Sequence, residues 1–161
     1  MSIQLYVADP SGSFVPAKDS TVIQAATAAV GRALRRGIQF DSLAAACKYL
    51  PAMLGAKEYE VFCVAHLDSR LRLIAFEEMF RGTIDGASVH PREVVKSVLG
   101  HNAAAVILVH NHPSGVAEAS HADELITRRL KEALALVDIR VLDHFIVAGE
   151  TVLSFAERGL I

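Results

Sequence analysis

The residues Ala103-Ala104-Ala105-Val106-Ile107-Leu108-Val109-His110-Asn111-His112-Pro113-Ser114-Gly115, followed by Ser120 and Asp123, decide how the rest of the chain is read. The apolar run Ala103–Val109 predicts a buried strand that delivers two imidazoles to its end. Pro113-Ser114-Gly115 predicts a turn, and Ser120 the start of a helix carrying a hydroxyl and a carboxylate. Side chains two residues apart on an extended strand point to the same side, so His110 and His112 face together. Two nitrogen ligands and one oxygen ligand leave a fourth tetrahedral position open, the arrangement of a catalytic rather than a structural zinc site.

Outward from this stretch, Ser120 to about Leu136 predicts an amphipathic helix with Leu125, Leu130, Leu134 and Val137 on one side. Ile139–Ala148 reads as a strand, Gly149-Glu150 as a tight turn and Thr151–Phe155 as a short last strand. Upstream, Pro91 suits the first position of a helix over 91–100 that Gly100 ends. Glu58–Leu67 and Leu71–Phe80, rich in β-branched and aromatic residues and joined by Asp68-Ser69-Arg70, predict a β-hairpin. Arg81–Gly86 is a loop or short strand, and the Gly82–His90 segment is expected to pass near the imidazoles. The order β-β-α-β-α-β-β is satisfied by one mixed sheet with helices packed on it, an α/β (α+β) domain over 57–161.

Residues 1–56 read as a small helical N-terminal subregion. One helix starts near Ser20 and runs to about Arg36, with Gly37 as its stop; a second, capped by Asp41 or Ser42, covers 42–54 and ends at Gly55. Pro51 fits a last irregular turn better than a helix interior. Residues 1–19, with the turn formers Asp9-Pro10-Ser11-Gly12, are expected to be only partly ordered. Nothing here resembles chemistry; packing, or contact with a second subunit, is the favoured role.

The 161 residues, 52% of them apolar, suffice for one domain with a real core. A net charge of −2 is no footprint for sequence-independent nucleic-acid binding. The clusters Arg32, Arg35, Arg36 and Arg128, Arg129, Lys131 read as solvated helix faces; any nucleic-acid affinity would come through a partner. Cys47 and Cys63 form no CxxC pair, which argues against a disulfide framework and for a reduced, cytoplasmic setting. The start Met1–Val7 lacks signal-peptide character, and no apolar run approaches the roughly 20 residues of a membrane helix.

His110-x-His112-Pro113 with Ser120-x-x-Asp123 resembles the JAMM motif of the JAB/MPN metalloprotease fold. The wider context is similar to the RadC family: Phe80-Arg81-Gly82-Thr83-Ile84-Asp85, Val89-His90-Pro91-Arg92-Glu93-Val94, Asn102-Ala103-Ala104-Ala105, His110–Gly115 and Leu142-Asp143-His144. The resemblance covers about residues 57–158. It implies a JAB/MPN, cytidine-deaminase-like architecture and one zinc ion per chain, held by His110, His112 and Asp123 with water in the fourth place. It implies that Ser120 bonds that water or the developing oxyanion. It also requires an upstream glutamate: Glu60 sits where the motif puts it, Glu58 on the same strand face is the reserve, and Glu77 and Glu78 are less favoured. Ala119 stands where the family usually has proline. Residues 1–55 lack the helix-hairpin-helix glycine signature that full-length relatives carry upstream.

Each residue also has a plainer role. Ser120-x-x-Asp123 matches a helix capping box and, taken alone, would be read so; the His-x-His pair at a fixed distance reverses the preference. His121 is expected to face solvent, His144 to be a satisfied core histidine or else a support for a ligand, and Cys63 a buried small hydrophobe. His66, His90 and His101 carry no pattern.

The functional expectation is a zinc metallopeptidase of JAMM type, cleaving a peptide or isopeptide amide in a protein substrate by metal-activated water. The alternatives are a DNA repair-associated factor, the family's historical label, and a JAB/MPN scaffold without metal. The spelling His110-Asn111-His112 does not make an HNH nuclease, whose residues spread over a ββα unit. The substrate stays open, as does the oligomeric state, a dimer included.

Overall fold

The computed structural model describes residues 4–34, 43–82 and 88–161. The expected Gly37 stop, the Asp41 or Ser42 cap and most of the Gly82–His90 loop lie outside the described residues. In chain order the elements are β1 (Tyr6–Ala8), β2 (Phe14–Pro16), α1 (Asp19–Leu34), α2 (Leu43–Leu54), β3 (Val61–Leu67), β4 (Leu73–Arg81), α3 (Pro91–Gly100), β5 (Ala105–Asn111), α4 (His121–Ala135), β6 (Arg140–Ala148) and β7 (Thr151–Ser154).

Five strands form one sheet in the order β4-β3-β5-β6-β7. β5 pairs in parallel with β6, through the crossover helix α4, and every other pairing is antiparallel. Every residue of β3 and β5 is buried, because helices cover both faces of the sheet there. Alternation along the strands then sorts side chains strictly. Odd-numbered Val61, Cys63 and Ala65 on β3, with Ile107 and Val109 on β5, pack against Ala46, Leu50 and Leu54 of α2. Even-numbered Phe62 and Val64, with Val106 and Leu108, pack against Val94 and Val98 of α3 and Leu130 and Leu134 of α4. This parity puts His66 and His110 on the face shared with α3 and α4. The register of β6 adds His144, which pairs with Leu108.

The mixed sheet with flanking helices is the expected architecture, with particular differences. α2, read as part of an N-terminal subregion, fills one face of the main sheet. Its end is brought so close to the β6–β7 turn that a Cβ on Gly55 would meet the Gly149 and Pro51 carbonyls, so glycine is needed there. Pro51 lies inside the last turn of α2, where the helix continues through it. Residues 6–16 are not merely partly ordered: β1 and β2 pair antiparallel as a small exposed ribbon, with the Asp9 carboxylate accepting from the Ser11 and Ser13 N–H groups in its turn. On α4 the buried stripe is Thr127, Leu130 and Leu134; Leu125 turns outward and is 46% exposed.

Candidate metal centre

β5 delivers His110 at 1% exposure, and the chain leaves the sheet at His112, whose N–H donates to the Val147 carbonyl of β6 at 2.8 Å. The following turn uses Gly115 at φ +78°, a conformation that favours glycine. It carries the chain back so that the Val116 carbonyl lies 2.9 Å from His112 Nδ1. Ser120 then caps α4. Its hydroxyl accepts from the Asp123 N–H, and the Asp123 carboxylate accepts from the Ser120 N–H at 2.8 Å, a complete capping box. The Ser120 O–H donates to Asp123 Oδ2 at 2.6 Å. The capping role and the ligand role therefore fall on one carboxylate: Oδ2 is held by Ser120, while Oδ1 faces His110 Nε2 at 3.2 Å. His110 Nε2 and His112 Nε2 are 3.0 Å apart, and His112 Nε2 is 3.7 Å from Asp123 Oδ2.

The tautomers of both rings follow from what lies behind them. Thr127 Oγ1 is 2.5 Å from the Asp123 carbonyl, which can only accept, so the threonine proton is spent there. Thr127 Oγ1 must then accept from His144 Nδ1–H at 2.6 Å, which leaves His144 Nε2 as an acceptor. His110 Nδ1, 2.8 Å away, donates to it. His110 Nε2 thus presents a lone pair to the site. His112 is oriented the same way, because its Nδ1–H donates to Val116. With both rings neutral, two nitrogen lone pairs and a carboxylate oxygen converge, an arrangement that a cation relieves, whether a proton or a metal ion. Ligand bonds of about 2.0–2.1 Å at tetrahedral angles place donor atoms about 3.3 Å apart, and the observed separations bracket that value. His110, His112 and Asp123 can thus hold a metal ion.

In the absence of a metal ion the site favours positive charge, which a proton on His112 can supply. The Asp123 carboxylate beside it raises the pKa of His112, against the opposing effect of burial. Burial works to raise the Asp123 carboxyl, yet His110, His112 and the Ser120 hydroxyl outweigh it and hold it well below the usual carboxylate range. Burial among Phe62 and Phe155 keeps His144 far below the ordinary histidine value, so it stays neutral.

A cleft of about 310 Å³ opens onto this cluster, lined by Glu60, Phe62, His112, Ser120, Asp123 and Arg129 among others. Glu60 immediately precedes β3 and is half-buried. Asn111 fixes its position. The Asn111 Oδ1 accepts from the Val61 N–H at 2.8 Å and its amide donates to the Tyr59 carbonyl at 3.1 Å, clamping the residues on either side of Glu60. Glu58 is exposed and does not line the cleft. Glu78 pairs with Lys57 at 2.8 Å, and Glu77 belongs to another cluster.

A model of the RadC-like JAB domain matches residues 40–160. The chain belongs to the RadC family. Curated RadC relatives cover most of it: a UPF0758 protein of Nitrosococcus oceani is 66% identical over 128 residues, 80% of this chain and 57% of the relative. One of Thioalkalivibrio sulfidiphilus is 57% identical over 150 residues, 93% of this chain and 67% of the relative. A third, of Methylibium petroleiphilum, is 57% identical over 142 residues, 88% of this chain and 64% of the relative. The chain thus spans roughly three fifths of the length of the curated RadC relatives it matches. Among the described residues no helix is long and apolar enough to cross a membrane.

Several roles were hidden in the RadC sequence. His121 is exposed, as expected, but His144 is more than a satisfied core histidine, because its ring orients His110. Thr127 and Asn111 were missed. Asn111 sits between the two histidines and could have drawn attention by being polar at the end of an apolar strand. Thr127 shows only as a polar residue in the buried stripe of α4. Asp143 supports structure rather than the His144 ring: it accepts from the Ser154 hydroxyl and from the Ala156 N–H.

Proposed function

We propose that the chain is a zinc-dependent metallohydrolase that cleaves a peptide or isopeptide amide. The observation that carries this is the convergence of His110 Nε2, His112 Nε2 and the Asp123 carboxylate within 3.0–3.7 Å, each oriented from behind. Nitrogen and oxygen donors of this kind suit zinc, and a three-residue set leaves a coordination position open. Zinc bound there supplies Lewis acidity and brings the pKa of a bound water to about 7.

The chain's own groups do the rest. Glu60, clamped by Asn111 at the cleft wall, takes a proton from the attacking water and delivers it to the leaving amine. Ser120 holds Asp123 in place through its hydroxyl, so in this arrangement it orients a ligand rather than aiming a proton at the substrate. Phe62 and Val89 line the cleft with apolar surface that limits water around the scissile bond.

The test is metal analysis of the purified chain together with peptide and isopeptide cleavage assays. One zinc per chain is expected at His110, His112 and Asp123, with Glu60→Gln keeping that metal while turnover falls by about 100-fold or more. A chain that binds no metal at His110, His112 and Asp123 would instead be a scaffold, and full activity of zinc-free protein would falsify the reading. The cytoplasm, where Cys47 and Cys63 stay reduced, is the expected compartment.

A further inference from the structure

A second group of side chains on the α3/α4 face of the sheet has the makings of a ligand set. His66 from β3, Glu77 from β4 and His101 at the C-terminal cap of α3 place one ligand atom each within 4.8 Å of the others. His66 Nε2 lies 3.4 Å from Glu77 Oε2, and His101 Nε2 lies 3.5 Å from the same oxygen. These separations are those of neighbouring ligands around a tetrahedral ion with bonds of about 2.0–2.1 Å. The two imidazoles are tilted against each other with centroids 4.3 Å apart, as two ligands of one ion can be. The Ser97 hydroxyl donates to Glu77 Oε2 at 2.5 Å and lies 3.2 Å from His66 Nε2, so it bridges the two groups and would move aside for an ion. His66 is fully buried, whereas Glu77 and His101 are 44% and 35% exposed, so an ion can reach the group from solvent.

We propose that His66, Glu77 and His101 form a second divalent-metal site, one that takes zinc or a similar borderline dication and ties the C-terminal end of α3 to strands β3 and β4. It shares no residue with the cluster of His110, His112 and Asp123, and it stands whether or not that cluster is catalytic. Three ligands on three separate elements make it a staple: the ion joins α3 to two strands that it otherwise meets through apolar packing and the Ser97 hydroxyl. It is also the weaker of the two sites. A metal-bound imidazole usually donates its other N–H to a fixed partner, and loss of such a partner costs about 10–100-fold in affinity. His66 Nδ1 is buried and has no hydrogen-bond partner among the described residues.

The experiment is a titration of tag-free, chelator-stripped protein with Co²⁺, followed by its visible absorption and checked by Zn²⁺ displacement. Wild type should take up two equivalents, the second about 10–100-fold more weakly than the first. His101→Ala and Glu77→Gln, both at exposed positions, should each abolish the weaker equivalent and leave the tighter one. Asp123→Ala should do the reverse. The second equivalent should also broaden the His66 and His101 imidazole resonances and raise the melting temperature of wild type but not of His101→Ala. A wild-type stoichiometry of one that falls to zero in Asp123→Ala overturns the proposal and leaves a hydrogen-bonded cluster only. A second equivalent that survives in both His101→Ala and Glu77→Gln overturns it as well. One equivalent lost in His101→Ala but kept in Asp123→Ala upholds this site and removes the basis of the hydrolase reading instead.

Discussion

The same sheet face presents two histidine–carboxylate clusters, and their difference lies behind the ligands rather than among them. His110 and His66 sit on neighbouring strands with matching parity. In register, His66 pairs with Val106, about 13 Å along β5 from His110 at about 3.3 Å per residue. Each cluster offers two imidazoles and one carboxylate at similar separations. Behind His110 stands an unbroken relay through His144 and Thr127 to the Asp123 carbonyl, and behind His112 the Val116 carbonyl. Behind His66, Nδ1 finds no hydrogen-bond partner among the described residues. The first cluster therefore has its lone pairs aimed before any ligand arrives, as catalysis requires; the second must be ordered by whatever binds it. Pre-orientation from behind, more than the count of donor atoms, separates the proposed reactive centre from the proposed staple.

The comparison breaks most completely at the ligands. Replacing His110 by Ala should abolish the tighter metal equivalent and all amide cleavage while the weaker equivalent persists, as read by metal content and turnover; simultaneous loss of both equivalents would mean that the clusters are not independent.

Next in size is the relay. Thr127→Val leaves the buried His144 Nδ1–H without an acceptor, which should cost about 1–3 kcal/mol of stability by urea unfolding. The tautomer of His110 is then no longer imposed, so affinity at the first cluster should fall about 10–100-fold with the second cluster unmoved. Nitrogen chemical shifts of the His110 ring in metal-free protein report the same event without reference to activity.

The second cluster is sharpened by pH. Burial first, and His101 in addition, push His66 down to about 4, against the opposing Glu77 carboxylate. Above the ordinary value of 6.5 the ring is neutral in both the folded and unfolded chain. Below 6.5 the unfolded chain takes up a proton that the folded one refuses, so this contribution to stability is lost as pH falls toward 4. In chelator, His66 should account for about 2 kcal/mol of lost stability between pH 7 and pH 5. His66→Leu should flatten that part of the profile; an unchanged slope in the variant would show that Glu77 and His101 already accommodate a charged ring. The smallest effect is at Ser97. Ser97→Ala frees the Glu77 carboxylate, whose pKa the Ser97 hydroxyl lowers, and should weaken the second equivalent severalfold without touching the first.

The two clusters were not equally legible. His110, His112, Ser120 and Asp123 lie within one strand, turn and helix start, so local geometry brings them together and their spacing carries the signal. His66, Glu77 and His101 come from three elements, and no spacing encodes their meeting. His144 illustrates the same limit: a histidine in an apolar strand looks the same whether it fills space or holds another ring. The placement of α2 and the exposure of Leu125 were missed for a related reason, since an amphipathic stripe states that a face is buried but not against what.

What the sequence alone determined is the strands and helices beyond residue 19, the family, and the candidate ligand triad at the end of β5, because these depend on residues close in the chain and on periodicity. The tertiary structure alone decided which proton sits on which nitrogen, how Asn111 clamps the Glu60 segment, and that a second cluster exists. Those depend on groups far apart in the chain, and hydrogen-bond direction is set only where a donor meets an acceptor in space.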